Sequence, residues 1–450
     1  MRLSKLLPVV MGGKKAWNPS EISSLRLWLE TDDQATLFQD AALTTAAAAQ
    51  DDLVGGWADQ SGNGYHLTQA DAKRPDLQVG LCGMNGKHTV RFDANLVNLM
   101  INATADWLSG DSTGTIVLLC QLGSLEANKI MFATSDEGAT TRFIKLWSGL
   151  DGLIRISQRN ADTEDLLVGD TVVGTEQTIL IIVRSDNSDF FMRVNGVDQT
   201  LTAATGSNTG DWFDSVSARD NFTLGGWKTT SETGHIWMQA AALLVFGENV
   251  TGANLTLLEN YMKSRYLLDF TTTTTRLGII GDSIAARIVA SGRLNFPAIV
   301  AHNYNHGNVN LLNHAVSGQS IIANMDAQVV AAASDAATIF ILQLGANDND
   351  AGDMGALQAE LEENITELQG TNPAATMYYM GVLPIFSGIG DPTDKSHIRA
   401  AQAAACLATG ITYWDTFTDP WIVFADTSDG THPTQAGQVK IAARILALLP

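Results

Sequence analysis

A serine closing an apolar run is the first candidate for chemistry in this chain. Arg276 to Ile280 reads as a buried strand, and Gly281-Asp282-Ser283 follows at once, with Gly281 expected to let the backbone turn sharply. Ser283 then sits at the carboxyl end of a strand, where ligands bind in open α/β sheets. A serine hydroxyl is a poor nucleophile near neutral pH and needs an adjacent base, usually histidine, which needs its own orienting acceptor. Asp429-Gly430-Thr431-His432-Pro433, just before the last expected helix, pairs a carboxylate with an imidazole three residues later. Ser283, His432 and Asp429 are therefore the candidate nucleophile, base and acid. A tetrahedral intermediate also needs donors aimed at its oxyanion. The N–H groups of Ser283 and Gly318 and the side-chain amide of Asn347 are the candidates, because His314–Ser320 and Gln343–Asp348 each follow an expected strand of the same sheet. His302, His306 and His314 are read as ordinary polar loop residues, and Asp282 and Asp348 as hydrogen-bonded turn carboxylates.

The elements that must hold these residues alternate strand and helix after Arg276. Strands are expected at Leu277–Ile280, Val309–Asn313, Thr338–Leu344, Thr376–Val382 and Ile411–Trp414, with helices near Ser320–Ala333, Ala356–Gln369, Lys395–Ala408 and Thr434–Leu449. This alternation implies a flavodoxin-like three-layer α/β/α domain with a five-stranded parallel sheet. Two long connections, Pro384–Ser396 and Thr416–Ser428, flank the site. Phe417, Trp421 and Phe424 on the second are expected to close over a small acyl group and a sugar ring.

From Trp17 to Phe270 the texture is all-β: short β-branched or aromatic runs separated by Gly, Asn, Asp and Thr. Thr115–Gln121, Lys129–Ala133, Arg142–Trp147, Leu153–Gln158, Thr178–Arg184, Phe190–Val194, Phe222–Leu224 and Ile236–Phe246 are the expected strands of a jelly-roll sandwich. Asp151-Gly152 and Asn195-Gly196 are expected at type I′ hairpin turns. Leu255, Leu258, Met262 and Tyr266 form a helical stripe that should pack on the sandwich. The expected boundaries are an arm at 1–16, the sandwich at 17–270, a Thr linker at 271–275 and the α/β domain at 276–450.

At 450 residues a division into two domains is natural, and 45% hydrophobic content is globular. The formal net charge of −21 argues against nucleic acid and against anionic lipid. Cys82, Cys120 and Cys406 show no metal-ligand spacing and are expected to be buried thiols. Asp- and Asn-rich turns in the β region have the oxygen ligands of a structural Ca²⁺ but no defined loop signature, so no cofactor or metal is expected. No stretch is apolar enough to span a bilayer, and the N-terminal apolar segment is broken by Pro8 and followed by Gly12-Gly13-Lys14-Lys15, so no clear signal peptide is read. Oligomeric state is left open.

Gly281-Asp282-Ser283, Gly318, Gly345-Ala346-Asn347-Asp348 and Asp429-Gly430-Thr431-His432-Pro433 stand in the order of the SGNH (GDSL) hydrolase superfamily, which the segment Arg276–Pro450 resembles. The resemblance implies a serine esterase with Ser283 as nucleophile, Asp429 and His432 completing the triad, and Ser283, Gly318 and Asn347 as oxyanion donors. Ala285 excludes the Gly-x-Ser-x-Gly elbow of α/β-hydrolases. Ser24–Leu29, Gly56–Gly64, Val90–Asp93, Arg193–Gly196, Leu224–Gly226 and Leu243–Phe246 resemble the concanavalin A-like lectin/glucanase (laminin-G-like) superfamily, whose modules bind glycans or act as spacers. Together these imply an esterase acting on small acyl esters, O-acetyl groups on carbohydrate above all, with a glycan at the sandwich. Two other readings stay open: a tail-type glycan-binding protein with an inactive hydrolase domain, and a lipase or arylesterase. A short arm before a lectin-like module is similar to phage and prophage tail proteins, which implies an extracellular or virion-associated setting.

Overall fold

The computed structural model describes residues 17–104, 109–126, 128–161, 163–286, 294–349, 352–386, 392–393 and 395–450. The expected 1–16 arm and residues 387–391 and 394 of the Pro384–Ser396 connection lie outside them. An eight-stranded and a ten-stranded antiparallel sheet make up the N-terminal half. Their facing sides interdigitate in one core, where Ile116, Leu118 and Val183 of the first sheet meet Phe132, Ile144 and Ile156 of the second.

The central strands of the eight-stranded sheet, Gly114–Leu122 and Met238–Phe246, are buried at every residue. Their second face is covered by the helix Gly252–Arg265, which lays Leu255, Leu258 and Met262 against Val117, Leu119 and Leu244. Two-sided burial is why these strands read as continuous apolar runs. In the ten-stranded sheet, Arg142–Ser148 and Leu153–Asn160 alternate instead, because one of their faces is not in the core.

Asn195 and Gly196 both take positive φ, 53° and 82°, as a type I′ turn requires. Asp151 does not: only Gly152 of that pair is left-handed (φ 72°), and the loop is the longer Gly149–Gly152, closed by Gly149 N–H on the Leu153 carbonyl at 3.1 Å. The ten-residue strand Thr163–Val172 was not among those expected.

The C-terminal half is built from β1 (Thr275–Gly281), α1 (Phe296–Asn303), β2 (Val309–Asn313), α2 (Ile321–Ala332), β3 (Ile339–Gln343), α3 (Met354–Thr371), β4 (Thr376–Met380), α4 (Ser396–Thr409), β5 (Thr412–Trp414) and α5 (Gln435–Leu448). The five strands are parallel in the order β2-β1-β3-β4-β5. That is the doubly wound, flavodoxin-like order. Helices α1 and α5 cover one face and α2, α3 and α4 the other.

The two halves are joined by more than the Thr run. Thr275 already belongs to β1. The outer edge of β2 is taken by the sandwich, with Leu311 N–H donating to the Thr175 carbonyl (3.1 Å) and Thr175 Oγ1 donating to the Leu311 carbonyl (2.8 Å). Gln177 reaches Asn308 at 3.0 Å, and Cys82 packs into the α1–α5 core layer. His302 is no loop residue: it is fully buried on α1, with Nε2 on the Glu176 carboxylate at 2.7 Å.

Candidate active site

β1 delivers Ser283 through a tight turn. Asp282 N–H donates to the Gln343 carbonyl (3.1 Å), and Ala286 N–H closes back on the Asp282 carbonyl (2.8 Å). Gly281 is absent from the left-handed residues. Its smallness is what the turn uses, since a Cβ there would lie 2.8 Å from Ala285 Cβ and 3.0 Å from the Gln343 carbonyl oxygen. Gln328 on α2 grips the same peptide, accepting from Gly281 N–H at 2.8 Å and donating to its carbonyl at 3.0 Å. Ser283 is thereby held on a rigid strand end rather than a free loop.

Ser283 Oγ lies 3.0 Å from His432 Nε2, and His432 Nδ1 lies 2.7 Å from Asp429 Oδ2. The second oxygen of Asp429 accepts the backbone N–H groups of His432 (2.8 Å) and Thr431 (2.9 Å). These bonds, led by that from His432 N–H, hold the Asp429 carboxyl at about 2, well below the usual carboxylate range. The Ser428–His432 loop is pinned at both ends. Ser428 N–H donates to the His432 carbonyl (2.8 Å), and Thr434 N–H donates to the carbonyl of Asp426, whose side chain is paired with Lys440 at 2.6 Å. Gly430 (φ 88°) faces the carbonyl of Phe386, where a Cβ would come within 2.1 Å.

Gly318 and Asn347 stand on the loops after β2 and β3, the two strands flanking β1. Gly318 is exposed with φ 79°, and its N–H and that of Ser283 take no acceptor among the described residues. Asn347 Nδ2 donates to the Gln319 carbonyl at 2.7 Å, which ties the two loops together and leaves the amide its second N–H. Asp348 caps α2 by accepting Ile321 N–H at 2.9 Å. Two supports were not found from sequence: Lys395 Nζ donates to the Asp348 carbonyl (2.7 Å), and Gln402 Nε2 donates to that of Leu344 (2.8 Å). Both cross about fifty residues, and no local pattern marks them.

Asp282 is fully buried, accepting Ile284 N–H at 3.0 Å and Gln343 Nε2 at 3.4 Å, and burial pushes its carboxyl up to about 6. His314 pairs with Asp335 at 2.6 Å and His306 with the Leu267 carbonyl at 3.0 Å. The aromatic loop differs from expectation. Trp421 is buried in the α1–α5 layer beside Trp414, so it does not line the site. Phe417 stacks under the Arg399 guanidinium, and Phe424 packs edge-on against Phe386, which sequence reading did not single out.

A cleft of 580 Å³ opens beside the Ser283 turn. Ala286, Asn313, Val316 and Ser317 form one wall, and Ser124, Leu125, Thr175 and Glu176 of the sandwich the other. Among the described residues no group of three or more His, Cys, Asp or Glu side chains is placed to hold a metal ion, and no helix is long and apolar enough to cross a membrane.

A flavodoxin-like sheet with these blocks at its carboxyl edge corresponds to a known family. Residues 279–440 match the model of the GDSL-like lipase/acylhydrolase family. That match lies within the C-terminal half and supports a hydrolase of ester substrates there. A search of curated proteins found no match. Among solved structures, a putative GDSL-like lipase from Parabacteroides merdae is similar at 13% identity and TM-score 0.32, over 40% of this chain and 98% of that one. The CBM40 of the Ruminococcus gnavus IT-sialidase, bound to α2,3-sialyllactose, is similar at 16% identity and TM-score 0.29, over 38% of this chain and 91% of that one. The NanB sialidase of Streptococcus pneumoniae (K499G mutant) is similar at 14% identity and TM-score 0.33, over 37% of this chain and 27% of that one.

Proposed function

We propose that the chain is a serine esterase that removes short acyl groups, O-acetyl groups on carbohydrate above all. The observation that carries this reading is the hydrogen-bonded series Ser283–His432–Asp429 at the end of β1. His432 Nε2 takes the Ser283 proton as Oγ attacks the acyl carbonyl. The oxyanion is received by the N–H groups of Ser283 and Gly318 and the Asn347 amide. Collapse expels the alcohol, which takes its proton from His432, and leaves an acyl-Ser283 that water hydrolyses by the reverse assignment of roles. Asp429 orients the imidazole throughout and stabilises its charged form.

The carbohydrate part of the reading is supported by the sandwich wall of the cleft, which brings Ser124 and Thr175 beside the Ser283 turn. The test is acetate release from O-acetylated glycans, with acetyl and octanoyl p-nitrophenyl esters in parallel. Ser283→Ala should abolish hydrolysis with the fold intact, and acetyl esters should exceed octanoyl esters in kcat/KM. Undiminished activity in Ser283→Ala removes the mechanism. The opposite chain-length ranking favours a lipase. A wild type inert on every ester leaves a glycan-binding protein with a silent hydrolase domain.

A further inference from the structure

The face of the ten-stranded sheet that points away from the core carries an aromatic and cationic cluster with no part in the site above. Along Arg142–Ser148, Ile144 and Leu146 enter the core, so Phe143, Lys145 and Trp147 share the opposite face. Lys145 Nζ lies 4.5 Å from the centre of the Phe143 ring, 4.9 Å from that of Trp227 and 5.8 Å from that of Trp147. The next strand sets Arg155 opposite Trp147 and Ser157 opposite Lys145, and the Arg155 guanidinium lies 5.0 Å over the Trp147 ring.

The charges on this face do not balance. Arg155 is paired with Asp151 at 2.6 Å. Arg159 has Glu164 at 3.9 Å, and the other oxygen of Glu164 accepts the Ser157 hydroxyl at 2.7 Å. Lys145 has no ion pair among the described residues, although burial lowers its pKa below the ordinary lysine value. Trp147 and Trp227 are half-buried, and their indole N–H groups are themselves buried and find no acceptor among the described residues. Lys145 thus stands among flat rings with only Glu164 acting on its charge from beyond ion-pair distance, in a chain whose net charge is −21.

We propose that this face binds an acidic saccharide, its ring on the indoles of Trp147 and Trp227 and its carboxylate on Lys145. Ring faces attract the ammonium only through their quadrupole, and Glu164 is engaged by Arg159 and Ser157, so an anion in direct contact adds an attraction that no ion pair among the described residues makes. A nucleic acid of comparable charge is disfavoured by the net charge of the whole chain. The proposal deepens the carbohydrate reading of the esterase and rests on it, but binding here does not pass through Ser283.

The test is calorimetric titration of the full chain carrying Ser283→Ala, using trigalacturonic acid and its methyl-esterified form, which share the sugar rings and differ in carboxylate charge and the ester methyl groups. The acid should bind at least tenfold tighter, and the difference should shrink as salt is raised. Lys145→Met should erase the difference, Lys145→Arg should restore most of it, and Trp147→Ala should weaken both ligands, each variant melting cooperatively like the parent. Equal affinities for acid and ester, no binding of either, or full acid affinity in Lys145→Met would overturn the proposal. Ester hydrolysis by the chain with Ser283 intact is read separately, so failure of this site and failure of the esterase reading remain distinct.

Discussion

The imidazole of His302 on α1 and the carboxylate of Glu176 on the sandwich meet at 2.7 Å with both side chains buried, although 126 residues separate them. Thr89 Oγ1 donates to Gln239 Oε1, and Gln239 Nε2 lies 3.4 Å from His302 Nδ1, so both ring nitrogens have a polar neighbour. Glu176 itself sits at φ 58°, a conformation costly for a residue with a Cβ. The backbone accepts that strain where it directs a carboxylate into the junction. His302→Ala removes a charge-assisted hydrogen bond and leaves a cavity, which should cost about 2–4 kcal/mol. Denaturant unfolding of the full chain measures it, and a loss below about 0.5 kcal/mol, the range of neutral surface changes, would make the contact incidental.

His432 and Asp429 should separate in their kinetic effects. In the proposed mechanism His432 transfers the proton while Asp429 orients it, so His432→Ala should cost at least as much kcat as Asp429→Ala. With its carboxyl held at about 2, Asp429 stays ionised at any pH where the enzyme is assayed, and it should contribute no acid limb between pH 4 and 8. Its depressed value means that any stability it adds is present above the unfolded carboxylate range and lost only as pH falls toward 2. A pH–rate profile of Asp429→Asn that loses an ionisation near pH 4 to 5 relative to the wild type would contradict this.

The proposed oxyanion donors should act on turnover rather than on folding. Asn347→Ala removes one donor and should lower kcat by about 10²–10³. Gly318→Ala meets no atom within 4 Å but forces an alanine to φ 79°, so the loop should shift and misplace its N–H. Loss of kcat in both variants with KM changed less than about threefold is the expected pattern for interactions made in the transition state. A rise in KM alone would place the two residues in ground-state binding.

Asp282 offers a stability test with a defined sign. Its folded value of about 6 lies above the ordinary carboxylate value, so the folded state holds the proton more tightly than the unfolded one. Stability should therefore rise as pH falls from about 6 toward 4. The Gln343 side chain, whose Nε2 lies 3.4 Å from the carboxylate, also carries a buried Oε1 with no partner among the described residues, an acceptor that a donor at position 282 can serve. Asp282→Asn, which carries that donor permanently, should stabilise the chain at pH 7.5 by about 3 kcal/mol, and the gain should vanish near pH 4. Equal melting temperatures at both pH values for variant and wild type would refute the argument.

Much of this molecule was legible because its signals are local. The five strands of the α/β sheet and four of its helices fall within about two residues of expectation, since a buried parallel strand is a short apolar run and a half-exposed helix shows a 3.6 period. Ser283, His432 and Asp429 could be named because strand ends and the Asp-x-x-His spacing are short-range features. Helix α1 could not be seen. Phe296 to His302 are buried on all sides, so the helix has no amphipathic period, and Pro297 at its start suggests a break rather than the first turn it occupies.

Only the tertiary structure decided what lies far apart in sequence and close in space. It brought Gln328 to Gly281, Lys395 to the Asp348 loop, and the sandwich residue Thr175 to the edge of β2. It also moved Trp421 from an expected pocket into the core and gathered Lys145 among the rings of Phe143, Trp147 and Trp227. Residue type and spacing determine which elements form and what chemistry their ends can carry. Which side chains meet across them depends on how layers pack, and packing is settled by complementarity of whole surfaces that no local window contains.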